Sequence, residues 1–212
     1  RLETGASVVA VEIDKRLAAQ LPITVTQMQP HAQLTVITDD ALRVTELPHE
    51  PRVLVANLPY NVSVPVLLHF LEHFDSLDRG LVMVQAEVGN RVAAGPGSKV
   101  YGSPSIKAAW YGEFSTAGLV SRQVFWPVPN VDSVLVRFER REQPGTVEER
   151  RATFALVDAA FQQRRKMLRQ SLSSVLGSSA AASDRLIAAG VAPTARGEEL
   201  TVHDFLAIAR AV

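Results

Sequence analysis

Short apolar runs rich in β-branched residues, each closing on an acid or an amide and separated by stretches of helical character, constrain this chain more than any other feature. Ser7 to Ile13 (SVVAVEI) ends against Asp14, Leu34 to Thr38 ends at Asp39-Asp40, Arg52 to Ala56 ends at Asn57, and Leu81 to Val84 ends at Gln85. A run that is apolar at nearly every residue has both faces buried, which is the condition of a strand inside a parallel sheet covered by helices. Helical segments lie between the strands: Lys15 to Leu21, and Val64 to Phe74, where Val64, Leu67, Leu68 and Leu71 share one face. The alternation predicts an α/β fold with a doubly wound parallel sheet. In such sheets ligands gather at the carboxyl ends of the strands, where Glu12, Asp14, Asp40 and Asn57 fall.

Beyond Pro104 the pattern changes. Ser105 to Trp110 reads as a helix, followed by strands over Phe114 to Val120, Gln123 to Trp126 and Val131 to Glu139. The last two flank a proline turn, VPN, and predict an antiparallel hairpin at the sheet edge. Arg140 to Thr146 (RREQPGT) has no apolar period and contains Pro144-Gly145, which marks a linker. Everything after it is helical in character: a long helix over Val147 to Val175, a short one over Ser183 to Ala189 closed by Gly190, and a third over Val202 to Ala211 with Thr201 as N-cap and Asp204 at the capping-box position. The expected division is a sheet domain over residues 1–142 and a small all-α domain over residues 147–212. At the start of the chain, Gly5 directly before a strand suits a helix C-cap, so Arg1 to Gly5 reads as the tail of a helix.

Composition narrows the chemistry. The 212 residues are 47% hydrophobic, enough for a sizeable core, and contain no cysteine, which removes disulfides, thiolate metal sites and thiol nucleophiles. The five histidines are scattered without ligand spacing, and no metal site is expected. The formal net charge is zero, so any nucleic-acid surface must be a local one. No apolar run reaches the roughly 20 residues of a membrane span and no signal peptide opens the chain, which leads to the expectation of a soluble, cytoplasmic protein.

The string Asn57-Leu58-Pro59-Tyr60, directly after a buried strand, carries the most chemical information. An exocyclic adenine amine is a poor nucleophile because its lone pair is delocalised into the ring. Acceptors aimed at its two hydrogens, an Asn side-chain oxygen and the Leu58 carbonyl held rigid by Pro59, draw the nitrogen towards tetrahedral geometry. Tyr60 then offers a face on which an extruded base can stack. An isolated NLPY is as readily a proline turn with a packed tyrosine; its position at a strand end favours the chemical reading. Glu12 sits where nucleotide-binding folds place an acid for ribose hydroxyls, though a strand-end carboxylate is often merely solvated. Asp40 with Ala41 suits an adenine amine beside room for a ring, and suits a helix N-cap equally well.

The strings VVAVEID, TDDAL, ANLPYNVS, QAEVGNRVAAGPGSKVYGSPSI, VFWPVPNVDSVLVRF and FQQRRKMLRQSL follow one another along nearly the whole chain. In that order they resemble the KsgA-type small-subunit ribosomal RNA adenine dimethyltransferases. The resemblance implies a Rossmann-like methyltransferase sheet that takes S-adenosylmethionine and methylates N6 of two adjacent adenines near the 3′ end of 16S ribosomal RNA. Glu12 with Ile13 then holds the cofactor ribose, Asp40 and Ala41 meet its adenine, Asn57 touches both cofactor and target, and Leu58, Pro59 and Tyr60 complete the grip on the target amine. Phe125, in VFWPVP, stacks on the base from the side opposite Tyr60, its plainer alternative being core packing. The implied partner is the immature 30S subunit, met by a monomer. The family's glycine-rich loop, which wraps the methionine end of the cofactor, is expected before Arg1, and without it the chain is expected to bind the cofactor weakly and to be inactive by itself. Two rivals stand beside this reading: a resistance methylase of large-subunit ribosomal RNA, and a non-catalytic RNA-binding assembly factor on the same fold.

Local charge completes the picture. Arg164, Arg165, Lys166 and Arg169 cluster with no carboxylate among them, which suits RNA phosphates or, more plainly, a solvated helix face. Arg91, Lys99 and Tyr101 form a second RNA-facing candidate around the loop GPGSKVYG, whose glycines allow close approach to a backbone.

Overall fold

The computed structural model describes residues 5–211. The helix tail expected over Arg1 to Gly5 lies outside them except for Gly5, whose φ of +74° is the left-handed geometry of a C-cap glycine. By its contacts the chain forms two compact units, Arg1–Gly80 and Leu81–Val212.

The first unit contains a parallel pair, β1 (Val8–Val11) and β2 (Leu34–Ile37), in register from Val8↔Leu34 to Val11↔Ile37 and joined by α1 (Lys15–Met28). Both strands are shorter than the apolar runs that predicted them; Glu12 N still reaches the Ile37 carbonyl at 3.0 Å, and the chain bends at Ile13 on its way into α1. Asp14 caps α1 by accepting from Arg16 N at 2.8 Å and Leu17 N at 3.4 Å. Its hydrogen bonds from Arg16 hold the Asp14 carboxyl below the ordinary range. The helix runs past the expected end at Leu21: exposed Pro22 forfeits one backbone bond, yet the turns on either side hold and the helix closes only where Gln29 N meets Val25 O at 2.7 Å.

β3 (Val53–Asn57) leads into α2 (Ser63–His73), whose buried face of Val66, Leu67, Phe70 and Leu71 forms the core of the unit with Phe74 and Leu77. Between β1 and β3 lies a cleft of about 740 Å³, walled by Val9 and Val11 on one side and Val53 and Val55 on the other. Its lining is mostly apolar, with Arg52, Ser7 and Gln29 among the polar residues.

The second unit is entered through β4 (Arg79–Gln85), followed by α3 (Ala86–Val92), α4 (Ser103–Ala109), β5 (Gly112–Val120) and β6 (Ser133–Arg140). β4, β6 and β5 lie side by side in that order, with β5 and β6 antiparallel. The edge hairpin therefore exists, but its strands differ from those expected. Residues 123–126 form no strand: Arg122–Val124 is a single 3-10 turn, Pro127 and Pro129 have no N–H to give a ladder, and Asp132 Oδ1 accepts Arg122 N at 2.9 Å to close the loop. Gly89 in α3 packs so tightly that a Cβ there would fall 2.2 Å from Val134 Cγ1 and 2.8 Å from Val136 Cγ2. Gly89→Ala gains about 1 kcal/mol of helix propensity but faces about 1–3 kcal/mol of overpacking against stiff β-branched neighbours. A net loss of stability is expected, seen as a lower urea midpoint at unchanged slope; an unchanged midpoint would show that α3 shifts freely.

Helices α5 (Val147–Gln162), α6 (Leu168–Ser171), α7 (Ser173–Leu176), α8 (Ser179–Ala188) and α9 (Val202–Arg210) complete the unit. The long helix expected over Val147 to Val175 is thus broken between Gln162 and Leu168. The backbone donors of Leu168 and Arg169 go to the carbonyls of Ala195 (2.8 Å) and Pro193 (3.2 Å), so the 193–195 segment takes bonds that a continuous helix would have kept. The caps at Thr201 and Asp204 form as expected: Asp204 N reaches Thr201 Oγ1 at 3.2 Å and Thr201 N reaches Asp204 Oδ2 at 2.8 Å. The expected boundary near residue 142 falls inside the second unit, where α5 packs on α4 and α9. Phe154 of α5 meets Trp110 and Tyr111 edge-on at 5.9 and 6.4 Å, and buried Arg150 hydrogen-bonds the Tyr111 hydroxyl.

The linker is fastened at its end. Glu149 accepts from Arg210 Nε at 2.7 Å and from Thr146 N at 2.8 Å, while Arg210 Nη2 also reaches the Pro144 carbonyl at 3.2 Å. The Arg210 bonds first and the Thr146 N–H second push the Glu149 carboxyl down to about 2. A depressed carboxyl stabilises the fold above its unfolded value, near 4.5, and loses that contribution as pH falls towards 2. Melting curves of the wild type and Glu149→Gln are therefore expected to differ at pH 6 and to converge at pH 2. A gap of constant size would show that the pair contributes nothing through its charge.

Candidate active site

Parallel pairing brings Glu12, at the end of β1, beside the segment that follows β2 and carries Asp40. Glu12 Oε1 accepts from Asp14 N at 2.8 Å, which orients the carboxylate. Asp40 Oδ1 accepts from Leu42 N at 2.9 Å, and the Asp40 carbonyl accepts from Arg43 N and Val44 N. No helix directly follows Asp40, so it caps only a short turn rather than a helix, and its second oxygen has no partner among the described residues. Among the described residues Glu12 Oε2 and Asp40 Oδ2 have no partner, so each acid keeps one acceptor for a ligand hydroxyl or amine hydrogen. Ala41 lies half-buried next to Asp40, while Ile13 is exposed. These two acceptors suit the hydroxyls and amine of the nucleoside half of S-adenosylmethionine.

Asn57 ends β3 with its side chain exposed and without a hydrogen-bond partner among the described residues. Leu58 is buried and anchors the strand end, and the Pro59 carbonyl accepts from Val62 N at 3.2 Å to close the turn into α2. Ser63, 2% exposed, donates its hydroxyl to the backbone carbonyl of the half-buried Tyr60 at 3.4 Å. Ser63 had no place among the expected site residues, although a serine opening the helix after NLPY is a recognisable signal. Asn57 and Tyr60 belong to the first unit and Phe125 to the second, where it is half-buried and ends the 3-10 turn.

Two of the residues expected to face RNA are turned to other work. Tyr101 is buried, its hydroxyl donates to the Leu200 carbonyl at 2.9 Å, and burial followed by the charge of Asp204 pushes it up to about 12, so it remains a protonated donor with no face for RNA. Arg164 pairs with Glu198 at 2.9 Å and donates to the Lys99 carbonyl at 2.8 Å, which latches the GPGSKVYG loop to the 197–200 turn. Gly97 N donates to the Glu198 carbonyl at 3.0 Å in the same latch, and Glu198 was not foreseen because its partners lie far away in sequence. Arg91 pairs with Glu87 one helical turn away at 2.8 Å. Lys99, Arg165 and Lys166 are exposed and Arg169 is half-buried, the last three lying on or beside the turn that interrupts the long helix.

A parallel βαβ unit with carboxylates at its strand ends, and an asparagine amide with no partner among the described residues at the end of a further strand, is the architecture of a Rossmann-like methyltransferase. The chain belongs to the ribosomal RNA adenine dimethylase family, which matches residues 2–212. It is 69% identical over 211 residues to a ribosomal RNA small subunit methyltransferase A of Leifsonia xyli subsp. xyli, covering 98% of this chain and 75% of that protein. It is 57% identical over 212 residues to the protein of the same name from Arthrobacter sp., covering 99% of this chain and 72% of that one. Among solved structures, a dimethyladenosine transferase from Plasmodium falciparum matches with a TM-score of 0.77 at 21% identity, over 95% of this chain and 80% of the other. The 23S rRNA methyltransferase ErmE matches with a TM-score of 0.66 at 23% identity, over 97% and 81%. These two likenesses carry the fold, and the sequence relatives carry the family.

Proposed function

We propose that this chain transfers methyl groups from S-adenosylmethionine to N6 of two adjacent adenines near the 3′ end of small-subunit ribosomal RNA, acting as a cytoplasmic monomer on the immature 30S subunit. The observation that carries the reading is the Asn57 amide, uncommitted at the carboxyl end of β3 in a chain of the adenine dimethylase family. The bound cofactor supplies an electrophilic methyl on a sulfonium. Glu12 and Asp40 accept hydrogen bonds from its ribose and adenine, with Ile13 and Ala41 against the rings. The Asn57 side-chain oxygen and the Leu58 carbonyl take the two amine hydrogens, which localises the lone pair on nitrogen at the moment of attack. Pro59 keeps those acceptors rigid, and Tyr60 supports the base. Phe125 is assigned to the same base. No strong base is required, since alkylation lowers the pKa of the amine and its proton leaves to water.

Residues 1–142 are assigned the chemistry and residues 147–212 the hold on the ribosome. The small-subunit reading is favoured over the large-subunit one because relatives 53–69% identical share the name ribosomal RNA small subunit methyltransferase A. Mass spectrometry of ribosomal RNA, after incubation of the full-length protein with immature small subunits and, in parallel, with large-subunit RNA, each with methyl-labelled cofactor, tests it. Two labelled methyls on each of two neighbouring adenines are expected. Label confined to large-subunit RNA would establish the resistance-methylase reading, and binding without label the assembly-factor reading.

A further inference from the structure

The most exposed large apolar side chain of the second unit is Trp126, at 95%. It stands on the loop between β5 and β6, beside Val124 (70%) and Val128 (53%). Leaving an indole in water is unfavourable, and the loop is not slack. Val124 N donates to the Ser121 carbonyl at 3.2 Å, Phe125 N to the Arg122 carbonyl at 3.3 Å, Arg122 N to Asp132 Oδ1 at 2.9 Å, and Arg122 Nη1 to the Asn130 carbonyl at 3.1 Å. The bonds close the base of the loop, and Pro127 and Pro129 stiffen its tip. Residues 123–131 carry no charge, the carboxylate of Asp132 is engaged with Arg122 N, and Arg122 is the cation beside the tip. A flat ring held out on a stiff loop that carries no charge over residues 123–131, with the Arg122 guanidinium at its base, suits a nucleobase and its phosphate better than a broad apolar protein surface.

Phe125 has extended backbone, φ −104° and ψ 151°, and in extended chain successive side chains point to opposite sides. Phe125 is half-buried and Trp126 is out in solvent, as that alternation requires. The two rings therefore face opposite sides of the loop. We propose that Trp126 is a stacking platform for an unpaired nucleotide next to the target adenine, a positioning contact that helps to set which adenines are reached. The inference rests on the reading above that the substrate is RNA.

The chain has two tryptophans, and the other, Trp110, is 1% exposed with its Nε1 hydrogen-bonded to Gln143 Oε1 at 3.0 Å. Emission that a ligand quenches is therefore that of Trp126. The probe is a labelled single-stranded oligoribonucleotide with two adjacent adenines, together with counterparts bearing an abasic site on each side of the pair in turn. Quenching on binding is expected, with about tenfold weaker binding for Trp126→Ala and near-normal binding for Trp126→Phe. On one abasic counterpart, wild type and Trp126→Ala are expected to bind alike, because the stacking partner is gone. The proposal is overturned if the wild type binds the oligoribonucleotide with Trp126 emission unchanged, or if Trp126→Ala weakens binding equally on the intact and both abasic probes. It is also overturned if Trp126→Ala leaves RNA binding intact but abolishes binding to a ribosomal protein. If the wild type binds none of the probes and no immature subunit either, the RNA reading itself fails and takes this one with it.

Discussion

Asn57→Ala is expected to lower the rate of methyl transfer on the order of 10²–10³-fold, the loss that follows removal of one preorganised hydrogen-bonding group from a site where charge develops. RNA affinity should change little, because the amide oxygen matters most while the amine nitrogen reorganises and contributes little to the ground-state complex. The side chain is exposed at the end of β3 and has no partner among the described residues, so its truncation removes no internal bond and the fold should survive. Single-turnover transfer from methyl-labelled cofactor by the full-length protein, alongside filter binding of RNA, reads both quantities. Near-normal transfer would assign the NLPY turn to structure alone.

Replacing Arg165, Lys166 and Arg169 with glutamine is expected to weaken subunit binding about a hundredfold at moderate salt, and to lower the slope of log affinity against log salt by about 2, as three phosphate contacts no longer release counterions. Arg164 is left out by design. Its guanidinium is held by Glu198 and the Lys99 carbonyl, so its loss would act through the latched loop and confuse shape with charge. An unaltered salt slope in the triple variant would make the turn between α5 and α6 ordinary solvated surface.

The contrast between Arg164 and its neighbours shows what the sequence could tell and what it could not. Local signals were legible. The apolar runs gave β1 to β4, Thr201 and Asp204 gave the start of α9, and of the acids at strand ends Asp14 caps α1 while Glu12 and Asp40 each leave one oxygen without a partner among the described residues. Each of these is decided within a few residues. The failures share a different physics. The long helix broke because residues 193–195 compete for its backbone donors, and Tyr101 was withdrawn from the surface by a carbonyl 99 positions away. The hairpin was assigned the wrong first strand because apolar residues 123–126 look like a strand, whereas a side chain at 132 and two prolines hold them as a loop. Long-range competition for hydrogen bonds leaves no periodic trace in a single sequence.

The latch on the GPGSKVYG loop has an entropic consequence for whatever meets Lys99. Fixing a residue's backbone costs about 1–2 kcal/mol, and glycine-rich segments lose the most freedom when they are ordered. Here Glu198, Arg164 and Leu200 hold Gly97, Lys99 and Tyr101 in place within the folded chain, so the ordering is complete before any ligand arrives. A phosphate that reaches the Lys99 ammonium meets a carrier whose backbone is already immobilised, and its binding energy is not reduced by having to freeze the loop.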